Sequence, residues 1–321
     1  MPELIGRTLG QYKIIEQIGE GGMATVYKAY QAGLERYVAL KVLSPLRARE
    51  ADFSTRFRRE AKAIAALHHP NILPVYDFGH EGEYHFLAMR YIAGAKTLYD
   101  LMKEPLPPSQ MSELISQVAA ALDTAHSQGV IHRDVKPSNI LLDGTWALLG
   151  DFGLVKLSEE SSKLTGSGVG LGTPAYISPE QGQGEQVDHR TDIYSLGVIL
   201  FEMLTRQIPH DADTPFAIIL KRVSEPMPSA QALNPDISEA VEAVLQKALA
   251  TEPSERYESA GALAGAFKQA ISGPASSEIG AAPIPATKAE PTYRIRLFGP
   301  LQVEKAGQPL PPFAPKKVRP C

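Results

Sequence analysis

Hydrophobic and polar residues alternate over short segments in the first third of the chain. The segments 12–15 and 24–29 show this alternation and are separated by glycines, which is typical of strands in a β-sheet. Between Asp52 and Leu67, apolar side chains recur every three or four residues, and this spacing predicts a helix. These patterns therefore predict a small, mainly β lobe with one helix over residues 12 to about 89.

From about residue 95 to residue 270 the apolar period becomes that of helices, interrupted by a middle section rich in Gly and Ser. A β-rich lobe followed by a larger helical lobe predicts an α+β fold class. The clearest apolar stripe of the second lobe consists of Met111, Leu114, Ile115, Val118, Leu122 and Ala125.

The last fifty residues differ in composition from the two lobes. Residues 273–291 contain four prolines and little apolar bulk, which is typical of a chain that cannot bury enough surface to order itself. We therefore assign 271–291 as a linker. Strand alternation resumes over 292–321 and predicts a β-hairpin-like tail, but about thirty residues are too few for a stable core of their own.

Composition excludes several classes of protein. The chain has 321 residues, 44% of them hydrophobic, which is enough for one large two-lobed domain with a tail. A net charge of -4 excludes a histone-like protein that coats polyanions. The single cysteine, Cys321, excludes an intramolecular disulfide and disfavours thiol chemistry. We find no apolar run of signal-peptide or membrane-spanning length, and we expect a cytoplasmic protein without a membrane partner.

A glycine-rich stretch lies between the first two predicted strands. Gly19, Gly21 and Gly22 would let backbone N–H groups approach phosphate oxygens closely. A glycine cluster between strands is also an ordinary turn, so this stretch alone does not identify a phosphate site.

Lys41 is a candidate for an anion contact. It shares one face of a predicted strand with Ala39, opposite Val38 and Leu40, and a lysine on an inner face needs an anionic partner. Glu60, on the flank of the apolar stripe of the predicted helix, is the candidate partner, because an unpaired buried carboxylate is costly. In the alternative interpretation Lys41 is a solvated edge residue and Glu60 only balances a helix rich in Arg and Lys.

The strongest chemical signal is the run IHRDVKPSNILL at 131–142, followed by LLGDFGL at 148–154. One carboxylate can accept or orient the proton of a substrate hydroxyl, while an amide oxygen and a second carboxylate can hold Mg²⁺. A lysine can neutralise a phosphoryl group in transfer. These are the requirements of phosphoryl transfer, and they fall on Asp134, Lys136, Asn139 and Asp151.

With these motifs in this order and spacing, residues 12–270 resemble the protein kinase superfamily, specifically the Hanks-type Ser/Thr kinases of bacteria. The resemblance implies the bilobal protein kinase fold, with an N-lobe over about 12–89, a hinge over 90–94 and a C-lobe over 95–270. It also implies ATP as phosphoryl donor, Mg²⁺ as metal with Mn²⁺ as a substitute, and proteins with Ser or Thr acceptors as substrates.

The resemblance further implies roles for the matching residues. Asp134 is expected to be the catalytic base and Lys136 the γ-phosphate contact. Asn139 and Asp151 are expected to be the metal ligands.

Lys41 is expected to bind the α- and β-phosphates while it pairs with Glu60. Met89 is expected at the back of the adenine pocket, before a hinge that includes Arg90. The full set expected to contact the nucleotide is Ile18, Gly19, Gly21, Gly22, Val26, Ala39, Lys41, Met89, Tyr91 and Ile92.

The stretch GTPAYISPE at 172–180 resembles the end of a kinase activation segment. By this resemblance Thr173 would reach toward the catalytic loop, which favours Ser/Thr over Tyr substrates. Glu180 is expected to form a buried ion pair with Arg256, and Asp192 to anchor the catalytic loop.

Hydroxyl side chains are frequent between Asp151 and Thr173, and we predict autophosphorylation at Thr165 or Ser167. Arg133 is the residue with which such a phosphate would pair. Self-association for phosphorylation in trans is left open. In the alternative interpretation, these residues form only a polar flexible loop.

Two departures from the family pattern bear on the site. Arg90 stands where the hinge commonly has an acidic residue, and Gly150 before Asp151 is expected to loosen the strand that carries a metal ligand. All the catalytic groups are present, which favours an active kinase over the alternative of an ATP-binding pseudokinase scaffold.

The tail sequence YRIRLFGPLQV at 293–303 resembles the opening strands of the winged-helix domain in SARP-type transcriptional activators of bacteria. The DNA-reading helix of such a domain would be expected beyond Val318, so this chain is not predicted to bind nucleic acid. A remnant of a kinase fused to a DNA-binding regulator, or an unstructured tail, are the alternatives for 292–321.

Overall fold

The computed structural model describes residues 4–21, 24–43, 53–152, 174–212 and 214–273, and three short strands between 293 and 309. The chain divides into two compact units, Met1–Pro274 and Ala275–Cys321, and each is described by itself.

The first unit begins with an antiparallel six-stranded sheet in the order β1-β2-β3-β4-β6-β5. Neighbouring strands are joined by short connections, and the long crossing from β4 to β5 contains a helix. The strands are β1 (Thr8–Leu9), β2 (Tyr12–Glu20), β3 (Ala24–Gln31), β4 (Arg36–Leu43), β5 (Val75–Glu81) and β6 (Tyr84–Arg90).

The strict alternation of β4 gives the sheet two different faces. Val38 and Leu40 are fully buried in a small core on one face, together with Tyr12 and Ile14. Ala39 belongs instead to the main core, on the face of Lys41. The predicted division of β4 into two faces is therefore confirmed, and it places Lys41 on the side where the two lobes meet.

Helix α1 (Phe53–Ala65) packs against the sheet with the apolar stripe that its sequence predicts. Phe53, Phe57, Ala61 and Ile64 are buried, at intervals of three or four residues. The helix ends at Ala65, whereas the sequence analysis placed its end at Leu67.

The helical lobe is built around α5 (Arg190–Thr205), which is buried on nearly all sides. A helix that is apolar all round must be enclosed by its neighbours, and α3, α8 and α9 pack on it. The other helices are α2 (Leu98–Leu101), α3 (Pro108–Ser127), α4 (Pro179–Gln183), α6 (Pro215–Ser224), α7 (Ala230–Leu233), α8 (Glu239–Ala248) and α9 (Ala260–Ile271).

The helical lobe also contains a second sheet of three strands, β7 (Lys96–Thr97), β8 (Ile140–Asp143) and β9 (Trp146–Leu149). The segment after α1 is hydrogen-bonded to β9, because Leu73 N donates to Leu149 O at 2.9 Å and Leu149 N to Asn71 O at 2.8 Å. These bonds fix β9, and the residues that follow it, relative to the segment that leads from α1 into β5.

A β-rich lobe followed by a larger helical lobe confirms the predicted fold class. Within the described part of the chain no helix is long and apolar enough to cross a membrane.

The second unit contains β10 (Tyr293–Arg296), β11 (Gln302–Lys305) and β12 (Gln308–Pro309), paired antiparallel in that order. The pairing of Ile295 with Val303 forms the hairpin that the alternation predicted, and β12 adds a third strand. The resemblance of this tail to a winged-helix domain stays a prediction.

Asp123 on α3 binds the start of α9, since its carboxylate accepts from the backbone N–H groups of Ala260 and Gly261, both at 2.9 Å. A carboxylate at a helix N-terminus satisfies unbonded amides and interacts favourably with the helix dipole. We therefore expect Asp123→Ala to lower the free energy of unfolding by about 1–2 kcal/mol, measured by urea denaturation. Glu113→Ala, on an exposed position of the same helix, is the control and is expected to change it by less than about 0.5 kcal/mol.

Candidate active site

Lys41 reaches the centre of the site from the middle of β4. It pairs in register with Val26 on β3 and Leu87 on β6, so strands on both sides hold its backbone. Its Nζ lies 2.8 Å from Asp151 Oδ1, with side-chain exposures of 16% and 37%. This partly buried ion pair joins the β-rich lobe to the residue that follows β9.

Asp151 lies just beyond the end of β9, in the left-handed region at φ 58°. A non-glycine residue seldom adopts this conformation unless its surroundings determine it. The neighbours provide this restraint: Gly150 N donates to Asn139 O at 2.9 Å, and the buried ring of Phe152 lies 4.5 Å from the ring of His132.

The expected loosening at Gly150 is not what the structure shows. Both backbone polar groups of Gly150 are hydrogen-bonded, its N–H to Asn139 O and its carbonyl to His132 Nε2, at 2.9 Å each. A Cβ at this position would meet Leu73 Cδ2 at 3.1 Å, so a glycine lets β9 pack closely against Leu73.

Asp134 and its neighbours form a compact polar cluster in the connection between α3 and β8. Lys136 Nζ lies 2.8 Å from Asp134 Oδ2. Asn139 Nδ2 donates to the same Oδ2 at 2.9 Å and to the backbone carbonyl of Asp134 at 2.8 Å. The Asp134 carboxylate is thus held between a cation and an amide.

His132 connects this cluster to the segment that carries Asp151. Its Nε2 faces Gly150 O, so this nitrogen carries the proton, and its Nδ1 accepts from Asp134 N at 3.2 Å. Burial lowers the pKa of His132, which keeps the ring neutral in this arrangement. One imidazole therefore bonds the backbones of both loops.

Asp192 anchors the same loop from α5. Its carboxylate is fully buried and accepts from the backbone N–H groups of His132 and Arg133, both at 2.8 Å, and it contacts His126 Nε2 at 2.7 Å. Arg133 itself is left-handed at φ 64°. Asp192 thus bonds two consecutive backbone N–H groups just before Asp134.

Glu180 and Arg256 form a buried, bidentate ion pair, with both N–O distances at 2.8 Å. Thr191 Oγ1 also donates to Glu180 Oε1 at 2.6 Å. Burial opposes ionisation of Glu180, but Arg256 outweighs it, so the pKa of this carboxyl lies below its ordinary value. The pair joins α4 to the segment before α9.

The predicted nucleotide residues lie on the strands and hinge around Lys41. Ala39 on β4 pairs in register with Met89 on β6, and Met89 is buried. The side chains of Tyr91 and Ile92 pack on the main core. Arg90, the unusual hinge residue, pairs with Asp143 at 2.7 Å and donates its N–H to Pro74 O.

Two of the three glycines, Gly19 and Gly21, lie in the described residues at the end of β2 and just after it. Gly21 N donates to Ala24 O at 2.9 Å, and Gly19 pairs in register with Val26. Ile18 on the same strand is 44% exposed, as a residue at the rim of a binding site would be.

The pairing of Lys41 with Glu60 stays a prediction. Other predicted residues, Gly22, Thr165, Ser167 and Thr173, are outside the described part of the chain.

Sequence analysis missed three residues that hold this site together. His126 carries no local signal, because its partner Asp192 is 66 positions away. Gln181 does carry one: Ser178 and Gln181 have the spacing of a capping box, which the structure forms. Arg222 falls one turn after the buried Ile218, and this spacing places it on the inner face of α6.

Asp151 and Asn139 are suitable ligands for Mg²⁺. Asn139 commits its amide nitrogen to Asp134, which leaves the amide oxygen, and Asp151 is exposed enough to be reached. No group of three or more His, Cys, Asp or Glu side chains that could hold a metal occurs among the described residues. Mg²⁺ sites can use one or two carboxylates and complete their ligands with substrate phosphates.

Comparison with known proteins gives consistent results. The family model described as protein kinase domain matches residues 12–267. Serine/threonine-protein kinase PrkC of Bacillus subtilis is 39% identical over 80% of this chain and 40% of its own length. Serine/threonine-protein kinase PknB of Mycobacterium leprae is 41% identical over 78% of this chain and 41% of its own length.

Among solved structures, the crystal structure of the Mycobacterium tuberculosis PknI kinase domain superposes with a TM-score of 0.68 at 32% identity, covering 84% of this chain and 99% of that one. The chain spans about two fifths of the length of the curated relatives it matches. Over most of its length, the chain belongs to the protein kinase family, among the bacterial Ser/Thr kinases.

Proposed function

We propose that this chain transfers the γ-phosphoryl group of ATP to Ser or Thr hydroxyls of proteins. The observation that carries the proposal is the cluster at Asp134, whose carboxylate is held by Lys136 at 2.8 Å and Asn139 at 2.9 Å, and which His132 connects to the loop of Asp151. Family membership and the kinase names of the curated relatives support the same reaction.

The residues of the chain divide the chemical work. Asp134 accepts or orients the proton of the acceptor hydroxyl, whose oxygen bonds to the γ-phosphorus while the bond to the ADP oxygen breaks. Lys136 lies beside that carboxylate and offsets the negative charge of the phosphoryl group in transfer. Catalysis arises from positioning and electrostatics, and no phosphoenzyme is formed.

Lys41 would hold the α- and β-phosphates, and Asn139 and Asp151 would hold Mg²⁺. Mg²⁺ held by these two residues would reduce the charge repulsion of the phosphates. The observed pair of Lys41 with Asp151 keeps a phosphate-binding cation and a metal-binding carboxylate within 2.8 Å of each other. The chain has a single cysteine and cannot form an intramolecular disulfide, which supports a cytoplasmic location for this reaction.

Autophosphorylation at Thr165 or Ser167 is part of the proposal. Arg133 is the residue proposed to bind the phosphate, and its backbone N–H is held by Asp192 in the loop that carries Asp134. A phosphate on Thr165 or Ser167 would therefore be bound next to the proposed catalytic base.

We expect Asp134→Asn to lower the rate of transfer from ATP to a basic Ser/Thr peptide by about 10²–10⁴-fold, because the amide cannot accept the hydroxyl proton. ATP affinity, measured by isothermal titration, is expected to stay unchanged. Asp143→Asn is the matched control, since this carboxylate is exposed and pairs with Arg90. A wild-type chain that binds ATP without transferring phosphate would instead identify a pseudokinase scaffold.

We expect Asn139→Ala to raise the Mg²⁺ concentration required for half-maximal transfer by roughly 10-fold or more, because an oxygen ligand is lost. The dependence of rate on Mg²⁺ measures this effect. EDTA should abolish transfer by the wild-type chain, and Mn²⁺ should restore it. An unchanged Mg²⁺ dependence in the variant would contradict the role proposed for Asn139.

We expect mass mapping after incubation with ATP to find phosphate on Thr165 or Ser167 in the wild-type chain. The Asp134→Asn chain, incubated alone, should stay unmodified. An active kinase without phosphate anywhere in 158–173 would contradict this part of the proposal, whereas phosphate in the Asp134→Asn chain would indicate a contaminating kinase.

A further inference from the structure

Arg222 is a buried arginine on a helix whose opposite face is exposed. It lies on α6 with 2% of its surface accessible, one turn after the buried Ile218. Leu220 and Val223, on the other side of the same helix, are 55% and 39% exposed. A guanidinium is costly to bury, so its contacts must repay the loss of water.

The contacts of Arg222 are to the backbone of the segment between Thr173 and Glu180. Its guanidinium donates to the carbonyl oxygens of Ala175 and Ile177, and it lies 5.9 Å from the centre of the Tyr194 ring. The guanidinium of Arg222 thus bonds the carbonyl groups of the two residues that flank Tyr176. The planar fork of arginine suits this task, because its donors are fixed relative to each other.

The segment that Arg222 holds is connected to the catalytic loop. Ser195 Oγ donates to Tyr176 O at 2.7 Å, and Gln181 Nε2 donates to Arg133 O at 3.0 Å. Arg133 directly precedes Asp134. Residues 175–181 therefore lie beside the loop that carries Asp134, where a protein acceptor would have to bind.

The packing of α6 on α4 is also close. A Cβ added at Gly182 would lie 2.6 Å from Ile219 Cγ2, so the glycine is needed for this approach. Arg222 and Ile219 together hold α6 against 175–183 through both hydrogen bonds and packing.

Arg222 and Arg256 hold opposite ends of this segment. Arg256 binds the side chain of Glu180, and its guanidinium lies 4.8 Å from the centre of the Tyr194 ring. Arg222 approaches the same ring and binds the backbone at 175 and 177. The two guanidinium groups thus fix the segment from its start to its end.

We propose that Arg222 is a positioning residue for the protein acceptor, which it orders by holding the backbone of residues 175–177. The inference rests on the proposed function, because an acceptor is implied only if the chain is a kinase. The residues that Arg222 contacts lie between Thr173 and Glu180, whereas the described residues predicted to hold ATP lie on or next to β2, β3, β4 and β6. The effect is therefore expected on the acceptor and not on the nucleotide.

The test compares Arg222→Met and Arg222→Lys in the full chain. We expect Arg222→Met to raise the KM for a basic Ser/Thr peptide roughly 10-fold, because two charge-assisted hydrogen bonds are lost. The KM for ATP, and the rate of ATP hydrolysis without peptide, are expected to stay within about two-fold of wild type. Arg222→Lys keeps the charge without the fork and is expected to be intermediate.

Lys221→Met is the matched control. Lys221 is the neighbouring cation on α6 and also donates to a backbone carbonyl, that of Asp211 at 2.8 Å. It is expected to leave the KM for the peptide unchanged. If Arg222→Met does not fold, as judged by thermal unfolding, Arg222→Lys carries the test.

Hydrogen exchange gives a second measurement that does not depend on activity. The amides of 174–182 are expected to exchange faster in the Arg222 variants than in wild type, and those of α9 are not. A wild-type chain that transfers no phosphate would overturn the proposed function, and the exchange result would then decide whether Arg222 orders the segment. An active wild type, with unchanged peptide KM and unchanged exchange in the variants, would overturn the inference alone.

Discussion

The buried carboxylate of Asp192 is the group around which the catalytic loop is organised. It lies at the start of the most enclosed helix and accepts from two consecutive backbone N–H groups, those of His132 and Arg133. A carboxylate without water must be satisfied by donors, and it therefore dictates where the loop passes. Arg133 takes a left-handed backbone to bring its N–H to that carboxylate, and Asp134 follows in the position this imposes.

Several polar side chains extend this organisation outward from α5. His132 transmits it to Gly150 and so to Asp151, while Gln181 connects the same loop to α4. Arg222 then bonds the backbone of Ile177, just before α4, and Arg256 bonds Glu180 in the first turn of α4. The helical lobe thus provides a rigid support, and Lys41 approaches it from the sheet through a partly exposed ion pair. A partly exposed pair of this kind is screened by solvent and contributes little to stability.

The local patterns of the sequence were sufficient for the elements themselves. The alternation of β4, the stripe of α1 and the apolar run of α5 each require one kind of surroundings, and the structure supplies it. The contact of Asp134 with Lys136 and Asn139 was also predictable, because the three residues lie within six positions of one another. The effect of Gly150 was not: the expected loosening ignored Leu73, which is distant in sequence and packs against that glycine.

By itself, the sequence determined the order of the two lobes, the faces of their strands and helices, and which candidate residues lie close together along the chain. Periodicity and short-range motifs encode these properties, since each depends on residues that are close along the chain. Only the tertiary structure decided that Lys41 meets Asp151, that His126 contacts Asp192, and that Arg222 is buried against the backbone of residues 175–177. These contacts join residues separated by about 45 to 110 positions, and the packing of whole elements, not any local pattern, selects such partners.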